Sequence, residues 1–127
     1  MTPPAVTVTE LDHVVLRCRD IETTLAWYQD NLGLAPVRVE EWRAGEVLFP
    51  SLRVNARTII DLLPGDSADG RLDHICLVVA PVDLDALATS GRFEVIDGPA
   101  PRYGARGDGT SLYVRDPDGL TVELRCY

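Results

Sequence analysis

Lysine is absent from the 127-residue chain: all twelve basic residues are arginine. That excludes Schiff-base chemistry, covalently held pyridoxal phosphate and a P-loop, each of which needs a lysine amine. Basic charge is scarce overall, since twelve bases against twenty acids leave a net charge of −8 and a pI near 4.6. A field of that sign repels phosphate backbones and rules against nucleic acid as a partner. Long apolar runs are also missing, and none approaches the roughly 20 residues of a membrane helix. The opening MTPPAVTVTE lacks the basic and apolar stretches of a secretion signal, so a cytoplasmic chain with no membrane partner is expected. Cysteine is sparse and odd in number. Cys18, Cys76 and Cys126 make no C-x-x-C pair and have apolar or strand-like neighbours, which reads as buried free thiols.

What is present is ordinary globular material, 46% hydrophobic and 25% charged, in a length that suits one domain over residues 1–127. Its clearest feature is a repeat: LDHVVL at Leu11 to Leu16 returns as LDHICL at Leu72 to Leu77, 61 residues later. The chain therefore divides into modules of about residues 10–63 and 72–127, joined by a polar linker, Pro64 to Arg71.

The first module reads as a strand from Leu11 to Cys18 and a helix capped by Asp20, with Ile21, Leu25, Tyr28 and Leu32 on one face and Gly33 as its stop. Trp27 and Tyr28 are expected to pack that helix onto the sheet. Strands are predicted over Val37 to Trp42, Glu46 to Phe49 and Arg57 to Leu63. The second module repeats the order: strand Leu72 to Val79, helix near Val82 to Ser90, then strands Phe93 to Ile96, Ser111 to Val114 and Leu120 to Cys126. Asp116 to Gly119 is a tight-turn sequence that joins the last two as a hairpin. Between Asp97 and Thr110 the glycines and prolines predict a long loop, in which Arg102, Tyr103 and Arg106 could form a lid.

The only two histidines, His13 and His74, occupy the same place in the two modules, and Asp61 and Glu123 follow them by 48 and 49 residues inside the last strand of each module. A pseudo-twofold axis brings the four together. A carboxylate among Ile59, Ile60 and Leu62 is costly to bury without a cation or donors. Period-two alternation puts Thr121, Glu123 and Arg125 on one face of the last strand, opposite Leu120, Val122, Leu124 and Cys126. Two imidazoles with one or two carboxylates suit a divalent ion, with Fe, Ni, Zn, Mn and Co all compatible.

With LDHVVL, WYQDNLGL, LDHICL and LYVRDPDGLTVEL, the chain resembles the vicinal oxygen chelate superfamily from about Leu11 to Tyr127. That superfamily includes glyoxalase I, extradiol dioxygenases, methylmalonyl-CoA epimerase and bleomycin-resistance proteins; GPAPRYGARGDGTSLYVRDPDG looks closest to its glyoxalase-domain proteins. The resemblance implies an α+β fold of two βαβββ modules forming a cupped mixed sheet with helices outside. It places metal ligands at His13, His74 and Glu123, and a fourth at Asp61, where an aspartate stands in place of the longer Glu or Gln, or of His. It also implies a homodimer acting on a small molecule.

Three activities follow. In a glyoxalase-I-like lyase or isomerase, Glu123 or Asp61 moves a proton beside a metal-chelated carbonyl. In an Fe(II) extradiol dioxygenase, His13, His74 and Glu123 suffice as ligands and Tyr113 matches an active-site tyrosine. A metal-free drug binder is the third. Arg17, Arg43, Arg57, Arg102 and Arg106 are candidates to hold an anionic tail.

Overall fold

A computed structural model of the chain describes residues 2–66 and 70–127. The first module comprises β1 (Val8–Cys18), α1 (Ile21–Leu32), β2 (Ala35–Val37), a one-turn helix α2 (Val39–Arg43), β3 (Ser51–Asn55) and β4 (Thr58–Pro64). The second comprises β5 (Leu72–Val79), α3 (Leu84–Thr89), β6 (Glu94–Gly104), β7 (Gly107–Arg115) and β8 (Thr121–Cys126). Each module is therefore βαβββ, as expected. Positions 67–69 of the expected linker lie outside the described residues.

One eight-stranded sheet runs in the order β2-β3-β4-β1-β5-β8-β7-β6. Read outward from the central antiparallel pair β1/β5, each half presents its first, last, third and second strand. The β1/β4 and β5/β8 pairs are parallel and the rest antiparallel. This mixed pattern creates two apolar cores on the outer face, one per helix. Leu52 and Leu62 of the sheet cluster with Ile21 and Leu25 of α1, and Leu112 and Leu124 with Leu84 and Leu87 of α3. The inner face is left as a cup whose axis is the β1/β5 seam.

Local chemistry accounts for the helix ends. The Asp20 carboxylate accepts hydrogen bonds from the Glu22 N–H and the Thr23 hydroxyl, and Gly33, at φ 69°, closes α1 by donating to the Gln29 carbonyl at 3.0 Å. Ile21 and Leu25 are buried and Tyr28 packs beside them, but Leu32 is 56% and Trp27 53% exposed, so the apolar face is shorter than its sequence pattern. In α3 the Asp83 carboxylate caps the Ala86 N–H.

Three expected elements are different. In place of a strand over Val37 to Trp42, the chain turns at Arg38 into α2, because burying Val39 and packing Trp42 under the first core outweighs their β propensity. Glu46 to Phe49 is not a strand: Val47, Leu48 and Phe49 wall the cup instead of pairing, and β3 begins just after them at Ser51. The expected loop from Asp97 to Thr110 is a hairpin, β6/β7, paired from Glu94↔Arg115 to Gly104↔Gly107 with register shifts on either side of Asp97.

The hairpin's glycines have a packing cause. A Cβ on Gly104 would stand 2.5 Å from the Arg125 guanidinium carbon, and one on Gly109 would stand 2.8 Å from the Cys126 carbonyl. Arg125 lies fully buried across these two positions. Gly104→Ala is therefore expected to lower stability by about 1–3 kcal/mol through overpacking, read as a fall in the urea midpoint at unchanged slope.

Candidate metal centre

The repeated Leu-Asp-His is a local device as well as a marker of duplication. Between the pairs Leu11↔Leu77 and His13↔Cys76, β1 carries one extra residue, Asp12; between Val15↔His74 and Leu16↔Leu72, β5 carries one extra residue, Asp73. These two bulges turn each aspartate towards the histidine that follows it. Asp12 Oδ2 lies 2.7 Å from His13 Nδ1, and Asp73 Oδ2 lies 2.8 Å from His74 Nδ1. A carboxylate on Nδ1 fixes the ring and leaves Nε2 facing the cup.

Both Nε2 atoms meet the same oxygen. Glu123 Oε1 is 3.2 Å from His13 Nε2 and 3.1 Å from His74 Nε2, and the three donors all lie within 4.8 Å of one another. Neighbouring ligands of an ion held at about 2.0–2.2 Å are separated by about 3 Å, so this donor set has the spacing and the N/O character of a divalent-cation site. Asp61 stands across the cup with Oδ2 3.7 Å from His13 Nε2, outside that three-donor group. All four polar residues of the sequence pattern thus converge in one chain.

Each carboxylate is held by a serine. Ser51 donates to Asp61 Oδ1 at 2.5 Å and Ser111 to Glu123 Oε2 at 2.6 Å. Neither serine was anticipated, although SLRV at 51–54 and SLYV at 111–114 repeat them in register. Arg125 is a third unanticipated member: its Nη1 donates to Glu123 Oε2 at 3.1 Å and to Ser111 Oγ at 3.0 Å. Its Nη2 donates to the carbonyls of Gly107 and Arg102. Asp12, also fully buried, accepts from the Ala105 N–H and the Tyr127 hydroxyl. The sheet's alternation had put Arg125 on the polar face, but only the hairpin shows that this face is closed over it.

Protonation follows from these contacts. Burial alone would lower the pKa of His13, but its bonds to Asp12, Cys76 and Glu123 push it up to about 12. Burial likewise opposes charge on His74, and Glu123 and Asp73 raise it. Burial works against the Glu123 carboxylate, but the two imidazoles and Ser111 hold it far below the usual range. Asp61 goes the other way, because burial outweighs the help of His13, Ser51 and Arg38 and its pKa rises. Burial and the Glu123 charge push the Tyr113 hydroxyl up to about 12, so it stays a proton donor. Cys76 is pushed up to about 12 by burial and remains a thiol, and Cys18 is buried as expected.

A cavity of about 270 Å³ opens over the donors, with Val15, Leu48, Phe49 and Leu63 supplying apolar wall. Tyr113 lines it with its ring edge-on to His74, centroids 5.9 Å apart. Of the arginines expected to grip an anion, only Arg102 lines this cavity. Arg17 is paired with Asp73, Arg43 with Glu22 and Glu40, Arg57 with Glu10, and Arg106 stacks on Tyr127. Arg38, which the sequence reading passed over, lines it too. Tyr103 and Arg102 reach the cavity from a paired strand and are not on a lid loop; Arg106 sits in the hairpin turn.

Comparison with known proteins agrees with this fold. The family described as "Glyoxalase/Bleomycin resistance protein/Dioxygenase superfamily" matches residues 10–124. The chain is 32% identical to "Glyoxalase domain-containing protein RDO1" of Mycosarcoma maydis, over 94% of this chain and 69% of that protein. It is 29% identical to "Virulence protein STM3117" of Salmonella typhimurium, over 94% of this chain and 85% of that one. A Mn(II)-bound glyoxalase from Novosphingobium aromaticivorans superposes with a TM-score of 0.72 at 23% identity, covering 95% of this chain and 40% of the larger protein. With the match running nearly end to end over a fold of paired βαβββ modules, the chain belongs to the glyoxalase, bleomycin-resistance protein and dioxygenase superfamily, the vicinal oxygen chelate superfamily.

Proposed function

We propose that this protein is a divalent-metal-dependent enzyme of the glyoxalase-I type, moving a proton on the carbon beside a carbonyl. His13, His74 and Glu123 hold the ion, and the observation that carries the reading is Asp61. It is a second buried carboxylate in the same cup, 3.7 Å from His13 Nε2 and not needed by the three-donor group. When bound, a divalent ion supplies Lewis-acid stabilisation for negative charge developing on two substrate oxygens.

The side chains of the chain do the rest. Asp61 takes the proton from carbon and returns it, and the burial that raises its pKa strengthens it as a base. Ser51 fixes Oδ1, so Oδ2 is the oxygen presented for the transfer. Glu123, kept ionised by two imidazoles and Arg125, remains a ligand throughout. Tyr113 donates a hydrogen bond to a substrate oxygen.

The test is solvent deuterium exchange during turnover of a hemithioacetal by Zn(II)- or Ni(II)-loaded protein. Asp61→Asn is expected to keep its metal and lose about 10²–10⁴-fold in rate. Full activity in that variant would assign the base elsewhere, with Glu123 next in line. A second reading, extradiol dioxygenation, is favoured by one observation: the Tyr113 ring beside His74 in a two-histidine, one-carboxylate set. Oxygen uptake with catechols only in Fe(II)- or Mn(II)-loaded protein would select it.

Metal uptake must displace protons from His13 and His74, whose pKa values are raised, so apparent affinity is expected to climb with rising pH. Calorimetry in buffers of different ionisation enthalpy reads the protons released. Since the donors come from one chain, association into the homodimer implied by the resemblance is not needed to complete the site; light scattering gives the mass.

A further inference from the structure

The cavity has a second chemical pole, Arg38, whose charge acts on Asp61 but which has no contact with the reacting atoms in the proposed transfer. Arg38 is the one residue other than glycine at positive φ among the described residues, at 58°. A side chain with a Cβ is disfavoured there, and such residues gather at ligand clamps. The turn it makes between β2 and α2 sends its guanidinium to the cavity wall. There the guanidinium carbon lies 3.7 Å from the centre of the Tyr103 ring and 4.9 Å from that of Phe49. Nη2 donates to the Phe49 carbonyl at 3.4 Å, but Nε is buried without any hydrogen-bond partner. Arg43, Arg57 and Arg102 each face a carboxylate, whereas Arg38 makes no ion pair among the described residues.

Nε is closed to the cavity, so a ligand meets the Nη edge of the group, where Nη1 makes no hydrogen bond among the described residues. Held between two rings whose planes are 61° apart, the guanidinium offers a planar fork, the geometry that matches a carboxylate. Next to it the wall is apolar: Val47, Leu48 and Leu63. Arg102 lines the same cavity, held by an exposed pair with Asp97 that is worth little and by a hydrogen bond to the Pro101 carbonyl, with its guanidinium carbon 5.8 Å from the centre of the Tyr113 ring.

We propose that Arg38 is the binding residue for a carboxylate on the substrate, and that the substrate class is compact carboxylic acids with an apolar body. The acid lies at Arg38 and the reacting carbonyl lies over His13, His74 and Glu123. The second half of this statement rests on the proposed function, but the binding preference does not. A cavity of about 270 Å³, at the lower end of small-ligand clefts, selects a small acid over a peptide conjugate.

The experiment compares two probes of the same shape, phenylacetate and phenylacetamide, by titration calorimetry on chelator-treated protein, so that no metal contributes to carboxylate affinity. Phenylacetate is expected to bind at least tenfold more tightly. Arg38→Met is expected to bring it down to the level of the amide while changing the amide less than twofold, and Arg38→Lys to fall between. Unaltered circular dichroism and stoichiometric metal uptake in these variants establish that they fold. Should Arg38→Met fail to fold, the ratio of acid to amide affinity in Arg38→Lys decides, and it must drop at least threefold. No binding of phenylacetate, equal binding of the two probes, or undiminished acid affinity in the variant that folds would overturn the proposal. If the acid preference holds while no substrate shows solvent exchange, the proton-transfer reading fails and the carboxylate site stands. Exchange without acid preference is the opposite outcome.

Discussion

Replacing His74 with alanine is expected to cut affinity for a divalent ion by at least about a hundredfold while the protein stays folded. One of only two nitrogen donors disappears, and the remaining pair cannot enclose an ion. The ring of His74 is less deeply buried than that of His13, with side-chain exposures of 14% and 3%, so its removal opens the cup to water and does not hollow out a core. Asp73→Asn puts a neutral amide in place of the carboxylate on Nδ1, loses a charge partner of Arg17 as well, and is expected to cost about 10–100-fold, the usual range for a residue that orients a ligand. The ordering of the two variants matters more than either number. If Asp73→Asn weakened binding as much as His74→Ala, His74 would be a structural residue and Asp73 the real ligand. Metal-competition titration with a chromophoric chelator reads both.

The largest loss of stability is expected from Arg125→Met. The guanidinium is fully buried, satisfies Glu123, Ser111 and two carbonyls of the β6/β7 hairpin, and stands 4.0 Å from Asp12. Removing it leaves the buried Glu123 carboxylate without its guanidinium, with only Ser111 and the two imidazoles against it, and frees two carbonyl groups, at a cost of about 3–5 kcal/mol. For a chain of this size that is a fall of roughly 10–20 °C in Tm. A companion Glu123→Gln change in the same chain should recover part of the loss, since the stranded charge is then gone, whereas two independent contributions would add. A drop below 1 kcal/mol in Arg125→Met would mean that water reaches Glu123 and that the site is wetter than its packing indicates.

The architecture was legible because it is written twice. His13 and His74 in hexapeptides that share four of six residues, with Asp61 and Glu123 at matching distances, carry the pseudo-symmetry, and β1, α1, β4, β5 and β8 follow within a few residues of expectation. What escaped reading depends on partners distant in sequence. Gly104 and Gly109 look like loop residues until the Arg125 side chain that crosses them is in place. Val47 and Leu48 look like strand residues because a ligand cavity and a sheet core demand the same apolar character. Arg38 carries no local mark, since nothing in APVRVEEW announces a left-handed turn; packing of Val39 beneath α1 imposes it. Ser51 and Ser111 were within reach, but a four-residue repeat with a changed third position is a faint pattern beside LDH.

The seam between β1 and β5 has a thermodynamic consequence. It is the junction of two halves with separate apolar cores, and the two bulges that aim Asp12 and Asp73 interrupt its regular pairing. His13 sits on one side of it, His74 and Glu123 on the other. Any cation shared by the three would be a clasp across this seam, and its binding energy would be added to the cohesion between halves and not to either half. Without it the halves are free to open as separate cooperative units, whereas with it they should melt together. Hydrogen exchange would then show the same protection ceiling in β4 and β8 for the loaded protein and two different ceilings after chelation.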